Sequence, residues 1–545
     1  MSSLEPTPGP VLELSRPVLR RRGVVWRFLL SGLSAVLLFL PWLHPQLFWL
    51  AWLGWIPLLW ALDDSRPGLA LLLGWFAGTL YFAGTCYWMI DFAINLKGLS
   101  WLPSMGLAML FWLYSGLLLG LAGLLYRYLS QQLPAWDVLS FPLAFVSLTV
   151  LYPALFETNF AETQTEFLLG LQGVAVFGAK GMDLVMLLFA VLIYRLWRPL
   201  PQYARLTTRL QIGGWSLLAA WMLYGVLSLD LWDQRVEGWE ARRIGLVQPN
   251  DPPSIEIPPP APGFSREFPE EMAATARLQQ AGAEWVVWPE ARYKGWFELY
   301  SVREAWARQL SEWQLPLIFH DVERRWVNSR QVSFNSMVLL GTDGEQQGFY
   351  RKMLRMPFGE YLPEFFQLPG LRHLSEFFLG EFLRPLRAGQ SHSVFELDGM
   401  RIVPKICYEA AFPRFNAQAV GADGAGKLLL FVSQDNWFGE TNQPFQHRAM
   451  SIVRAVENRV PMVHLINNGP SVAASPQGRV VASTEAFTRA ELLVDLPFSP
   501  VSGGSLFSRY PWLTEGLLLA GLALLLMAAG LRRYRYGPRE ASASN

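Results

Sequence analysis

Cysteine, histidine and charge are all scarce in this chain of 545 residues. The two cysteines, Cys86 and Cys407, lie far apart, which excludes a disulfide framework, and no Cys-x-x-Cys pair exists for zinc or redox chemistry. The six histidines, at 44, 320, 373, 392, 447 and 464, form no close pair of the metal-binding kind, so neither a metal nor a cofactor is expected. Charged residues make up only 16% of the chain, against about 25% in an average soluble protein. With 45 basic and 44 acidic residues the net charge is +1, and no nucleic-acid partner is expected, since that would want a basic face. Hydrophobic residues reach 52%, with 24 Trp, which excludes disorder and points to a membrane protein.

Apolar runs recur at about the 20-residue length that crosses a bilayer. Seven lie within residues 28–230: Phe28–Leu43, Gln46–Leu62, Leu69–Met89, Leu102–Leu125, Val138–Phe156, Met182–Trp197 and Gly213–Leu229. An eighth, Trp512–Leu531, follows much later. The first run has a basic flank but no small-residue cleavage site before the next run, so it reads as a span and not as a signal peptide. Basic residues concentrate at residues 1–27, in the loop with Arg195, Arg198, Arg205 and Arg209, and in the tail at 532–545. Eight spans put all three clusters on one side. By the positive-inside rule that side is the cytoplasm, and residues 231–511 lie outside it, in the periplasm of a Gram-negative cell.

The core of that insert, about 242–497, reads as an α/β domain. Short β-rich runs end in polar, Gly- or Pro-marked turns: Arg243–Val247, Trp285–Trp288, Ser336–Leu340, Arg401–Ile406, Leu428–Val432, Met462–Ile466 and Arg479–Ser483. Helical periodicity appears over Pro269–Gln280 and Val302–Trp313. Pro252–Pro262 is too proline-rich for helix and is expected to be an extended loop or a flexible linker.

Three side chains end strand-like runs: Glu290 after Trp285-Val-Val-Trp-Pro, Lys352 after Gly348-Phe-Tyr-Arg, and Cys407 after Ile402-Val-Pro-Lys-Ile. Ligands of open α/β sheets bind beyond the carboxyl ends of strands, so such side chains can converge. A thiol needs a base to become a nucleophile, a carboxylate supplies one, and an ammonium stabilises both thiolate and oxyanion. Taken singly, each has a plainer reading: Cys407 as a small buried hydrophobe, Glu290 as a surface carboxylate, Lys352 as solvated charge. Glu360 follows closely on Lys352 as a holder of the lysine or a second carboxylate. Asp435-Asn-Trp-Phe-Gly439 and Asn467-Asn-Gly469 read equally as turns.

Trp-Pro-Glu290, Tyr350-Arg-Lys352 with Pro-Phe-Gly-Glu360-Tyr, Ile-Cys407-Tyr-Glu409 and Asp435-Asn-Trp-Phe-Gly439 occur in the order of the nitrilase superfamily, which the insert resembles. Seven spans before such a domain and one after resemble the layout of the apolipoprotein N-acyltransferase family. The resemblance implies an αββα sandwich with a catalytic triad of Glu290, Lys352 and Cys407, supported by Glu360, Tyr408 and Glu409. It further implies that Cys407 takes an acyl chain from a phospholipid donor and passes it to the diacylglyceryl-modified N-terminal cysteine of an apolipoprotein acceptor. The setting is the bacterial inner membrane, with Glu290 as base and Lys352 plus a backbone N–H near Tyr408 holding the oxyanion. The chain departs from the family in reading Ser433-Gln-Asp-Asn436 for Ser-Asn-Asp-Ala, in its proline-rich 252–262 stretch, and in the basic Ala-Arg-Tyr-Lys-Gly after Glu290. These departures bear on donor and acceptor preference.

Two other readings compete. A membrane-tethered amidase would send water to the same thioester, and a transporter or receptor would use the insert only to bind a ligand. The Phe365–Leu383 stretch is a candidate lid or a core helix.

Overall fold

The computed structural model describes residues 23–252, 259–290, 293–364, 368 and 386–536. The expected lid at Phe365–Leu383, apart from Leu368, and residues 253–258 of the proline-rich stretch lie outside these.

Among the described residues, seven helices are long and apolar enough to cross a membrane: Val24–Leu43, Pro67–Thr85, Trp101–Gln132, Pro134–Leu151, Val174–Trp197, Pro201–Glu237 and Leu513–Arg535. The expected span Gln46–Leu62 differs, because it is helical in pieces, Leu50–Leu53 and Trp55–Leu62, joined at Gly54. Its apolar helix Leu50–Leu62 reaches about 20 Å at 1.5 Å per residue, short of the roughly 30 Å hydrocarbon core. It nevertheless brings the chain back across the bundle. The Arg27 guanidinium donates to Ala61 O and Asp63 O, both at 2.6 Å, so the end of this segment lies beside the start of the first helix.

Close helix packing rests on glycine. The Pro67–Thr85 and Trp101–Gln132 helices meet at Gly78 and Gly116, where a Cβ on Gly78 would stand 2.4 Å from the Gly116 carbonyl oxygen. Small residues permit that backbone approach in a medium with no hydrophobic drive between helices. The expected span Met182–Trp197 starts earlier, at Val174, and turns sharply at Gly178 with φ 64°. Lys180 and Asp183 hid that extension in the sequence. Inside the helix both are satisfied: Lys180 pairs with Glu157 at 3.1 Å and Asp183 accepts the Ala161 N–H at 2.9 Å.

The insert between the last two of the seven long apolar helices forms two six-stranded sheets. Strands β1 (Glu240–Gln248), β2 (Trp285–Val287), β3 (Leu317–Val327), β4 (Arg330–Leu340), β5 (Gln346–Arg351) and β12 (Ala490–Phe498) run in the order β12-β1-β2-β3-β4-β5. The other sheet has the order β11-β10-β9-β8-β7-β6, from β6 (Phe395–Leu397), β7 (Met400–Ile406), β8 (Lys427–Ser433), β9 (Met462–Ile466), β10 (Val472–Ala474) and β11 (Val480–Ser483). The centres of both sheets are parallel, β1-β2-β3 in one and β7-β8-β9 in the other, as their unbroken apolar runs require.

Ile244, Leu246 and Val287 of the first sheet pack on Ile402, Leu430 and Val463 of the second, making the inner core. Helices Glu270–Gln280 and Tyr300–Trp313 cover the first sheet outside, and Pro413–Val420 and Gln443–Asn458 cover the second. The result is an αββα sandwich.

The Gln443–Asn458 helix also seats the sandwich on the membrane bundle. Fully buried Arg454 lies 3.4 Å from Glu162, and Glu457 accepts the Ala179 N–H at 2.7 Å, where the Gly178 turn frees that donor. At the same junction Trp88 donates to Gln446 at 3.1 Å, and Phe92 stacks on Phe438.

Candidate active site

Strand geometry brings the three singled-out side chains together. Glu290 follows β2, Lys352 follows β5 of the same sheet, and Cys407 follows β7 of the other. Facing sheets thus turn distant positions into one cluster between them. The Cys407 thiol feels the charges of both Glu290 and Lys352, with Asp435 and Glu360 acting more weakly. Burial together with Glu290 pushes the thiol well above its ordinary value, while Lys352 pulls it back. Cys407 has φ 49°, the left-handed region that a residue with a side chain rarely adopts, and it opens a 3-10 turn, Cys407–Ala411.

Lys352 is 2% exposed, and its Nζ donates to Glu360 Oε1 at 3.0 Å. Burial opposes its charge, but Glu360, Glu290 and Cys407 outweigh it and hold the ammonium protonated above the ordinary lysine range. Glu360 is fixed in turn by the Met356 N–H at 2.8 Å. Glu360 therefore lies against the Lys352 ammonium.

Glu409 is fully buried and works as a clasp. Its Oε1 accepts from Tyr350 OH at 2.7 Å, Met353 N at 2.7 Å and Leu354 N at 3.1 Å, and its Oε2 accepts from Ile406 N at 2.8 Å. One carboxylate thus ties the turn after Lys352 to the strand that delivers Cys407. The Tyr408 side chain leaves the cluster: its hydroxyl donates to Leu155 O and its ring packs edge-on against Phe156.

Sequence reasoning missed three neighbours, Asn335, His320 and His447, and met a fourth, Gln434, only as a departure from the family pattern. Asn335 Nδ2 bridges the carboxylates, donating to Glu290 Oε1 at 2.6 Å and Glu360 Oε1 at 2.9 Å. Its Oδ1 meets His320 Nε2, and burial lowers His320 to about 3, so that ring is a neutral donor. Gln434 gives its backbone N–H to Glu290 Oε2 at 3.3 Å. His447 bridges Asp435 and the Cys407 carbonyl. A polar signal existed for Asn335, since a strand disfavours Asn unless it is used.

A small cavity of about 40 Å³ opens beside Cys407, walled by Trp88 and Phe156 from the membrane bundle and by Met356, Tyr408 and Phe438 from the sandwich, with Glu157, Gln446 and His447 among its polar lining. A buried thiol and a buried ammonium with a half-buried carboxylate form a set suited to acyl transfer through a thioester. Among the described residues no group of His, Cys, Asp and Glu is arranged to hold a metal ion.

Two family matches tile the chain. Residues 245–502 match the carbon-nitrogen hydrolase family, and residues 34–192 match the apolipoprotein N-acyltransferase N-terminal domain. A nitrilase-superfamily sandwich carried on a membrane bundle is the class these define. The apolipoprotein N-acyltransferase of Geobacter metallireducens is 28% identical over 529 residues, covering 93% of this chain and 96% of that protein. That of Pseudomonas aeruginosa is 28% identical over 531 residues, covering 91% and 94%. An amidase from Nesterenkonia sp., known by crystal structure, is 18% identical with a TM-score of 0.36, covering 51% of this chain and 97% of that one. The chain belongs to the apolipoprotein N-acyltransferase family.

Proposed function

We propose that this chain acylates the α-amine of a diacylglyceryl-modified N-terminal cysteine on an apolipoprotein, with a phospholipid as donor and Cys407 as the transient carrier. Glu290 takes the thiol proton as sulfur attacks the donor ester carbonyl. The oxyanion is met by the Lys352 ammonium and the Tyr408 N–H, which is second in the 3-10 turn Cys407–Ala411 and so has no carbonyl of that turn behind it. The C–O bond breaks, Glu290 returns the proton to the departing alkoxide, and a lysophospholipid leaves. The acceptor amine then attacks the thioester and gives its proton to Glu290. The C–S bond breaks and the free thiol is restored.

The observation that carries this reading is the placement of Glu290, Lys352 and Cys407 after strands of two facing sheets, with the charges of Glu290 and Lys352 acting on one thiol beside a cavity walled by both halves of the molecule. A soluble enzyme would have to draw each lipid chain into water at about 0.8 kcal/mol per CH₂, and a cavity walled by the membrane bundle avoids that cost.

We place the sandwich in the periplasm and the inner membrane around the bundle. Support comes from the opposite end of the bundle, where Arg198 pairs with Asp63 at 2.6 Å, Arg127 donates to Ser65 O at 3.1 Å and Arg532 donates to Gln132 O. That arginine-rich end fits the cytoplasmic side. On this reading residues 28–230 hold seven passes, 231–511 the catalytic domain and 512–531 the eighth pass.

Purified enzyme given phospholipid and a synthetic diacylglyceryl-cysteine peptide should show parallel lines in double-reciprocal plots, with lysophospholipid released before any peptide is added. Lysophospholipid appearing only when the peptide is present contradicts the two-step cycle. Ammonia release from amides with no acylated peptide would replace the transferase reading with an amidase.

A further inference from the structure

His447 sits behind the nucleophile. Its Nδ1 is 2.8 Å from Asp435 Oδ2 and its Nε2 is 3.0 Å from the Cys407 carbonyl oxygen, and all three residues are buried. Both partners are acceptors: a carboxylate and a carbonyl offer no proton to an imidazole. Satisfying both contacts requires a proton on each ring nitrogen, hence an imidazolium beside an ionised Asp435. Its other neighbours are few in kind. His464 of β9 meets the ring edge-to-face with centroids 4.6 Å apart, and it is driven well below its ordinary value by burial and by His447 itself. Glu290 acts from the facing sheet, and Glu157 of the membrane bundle lines the same cavity. Burial opposes the charge on His447, and Asp435 more than offsets it, so the group titrates above its ordinary value.

The contacted carbonyl belongs to the peptide unit whose other end is the Tyr408 N–H. We propose that Asp435 and His447 form a positioning relay that holds the Cys407 backbone in its left-handed turn and polarises the 407–408 peptide, sharpening the Tyr408 N–H as an oxyanion donor. Hydrogen bonds in series strengthen one another, and a charged donor strengthens them most. The relay also accounts for a nucleophile held at φ 49°, which a residue with a side chain does not adopt unaided. This assignment rests on the acyl-transfer reading of the site.

Three variants of the full-length enzyme in detergent test it: His447→Ala, His447→Gln and Asp435→Asn. Two rates are followed by mass spectrometry at Cys407 between about pH 6 and 9: acylation by labelled phospholipid, which builds an oxyanion, and alkylation by iodoacetamide, which does not. Loss of an oxyanion donor costs about 10²–10³ in rate, and His447→Ala should show that fall in acylation while alkylation falls less than about tenfold. His447→Gln keeps a neutral N–H for the Cys407 carbonyl and should recover about tenfold of the loss.

The pH profile carries the sign. Because His447 titrates above its ordinary value, the imidazolium is present through neutral pH and is lost as pH rises. Wild-type acylation should therefore lose a factor at high pH that the His447→Gln enzyme does not lose. Parallel falls in acylation and alkylation, Gln no better than Ala, or an unchanged high-pH limb in the Gln variant would each overturn the relay. If His447→Ala fails to fold, the Gln and Asn variants decide. If wild-type enzyme takes no acyl group from phospholipid, the donor reading fails by itself, and acylation by a p-nitrophenyl ester, which also builds an oxyanion, then decides the relay by the same ratios.

Discussion

Cys86 and Cys407 are both free, both buried, at 1% and 7% exposure, and both stand at the end of a regular element. Cys86 follows the Pro67–Thr85 helix with an ordinary negative φ, and its carbonyl accepts the Trp112 indole N–H at 3.0 Å. Its neighbours Tyr81, Phe82 and Trp88 are part of the same apolar core of the bundle. Cys407 instead turns out of a parallel strand into the left-handed region, under the charges of a carboxylate and an ammonium delivered by the facing sheet. Burial is common to the two thiols. What differs is the supply of charge and a backbone forced to present the sulfur.

The largest expected difference comes from removing each sulfur in turn. Cys407→Ala should leave no acyl transfer above background. Cys86→Ala should keep activity within about threefold and cost only about 1 kcal/mol of stability, as a small core truncation does. A wild-type rate from Cys407→Ala, or loss of activity without loss of fold from Cys86→Ala, would reverse the roles.

Next in size, Lys352→Met and Glu290→Gln should each slow acyl-enzyme formation by about 10³ or more, because each removes a charge that acts on the thiol and the oxyanion. Single-turnover release of lysophospholipid measures this. Asn335→Ala should fall between, at about 10–100-fold. It leaves Glu290 and Glu360 in place but unbridged, each having lost a buried hydrogen bond worth about 1–3 kcal/mol to a charged group. Retention of full activity would show that the bridge is structural only.

The smallest effect concerns stability. His320 is held near 3 by burial, below its ordinary 6.5, so the folded state resists protonating it. Its contribution is present above about pH 6.5 and declines as pH falls from there toward 3. Thermal unfolding of wild type should therefore weaken over that window, and His320→Gln should flatten the dependence. An identical pH slope in the two proteins would remove His320 from the acid response.

The sequence made the strand-end residues visible because a short apolar run followed by one polar side chain is how a parallel strand meets its ligand face. Glu290, Lys352 and Cys407 all carry that mark, and the two sheets bring them into one cluster. The apolar run that marks β4 in the sequence starts at Ser336, just past Asn335, and β3 carries too many charged residues to read as a strand, so neither Asn335 nor His320 is visible there as a site residue. Strand β12 was also missed. It runs antiparallel on β1 from nearly the far end of the insert, with its polar residues on the solvent face and its apolar set supplied by Val494, Leu496 and Phe498. In the membrane region, length and hydropathy located the long helices. The Gly54 joint and the Val174 start depended on what packs against them: the Leu38 side chain at one and Glu157, Glu162 and Arg454 near the other.

The comparison of the two sulfurs is tested most directly by mapping the acyl group. Purified enzyme incubated with phospholipid bearing a labelled acyl chain, without acceptor, should gain one acyl mass that a neutral hydroxylamine wash removes. Peptide mapping should place it on Cys407, with Cys86 unmodified. An acyl group on another residue, or no covalent adduct under conditions where acyl transfer to an acceptor proceeds, would contradict the account.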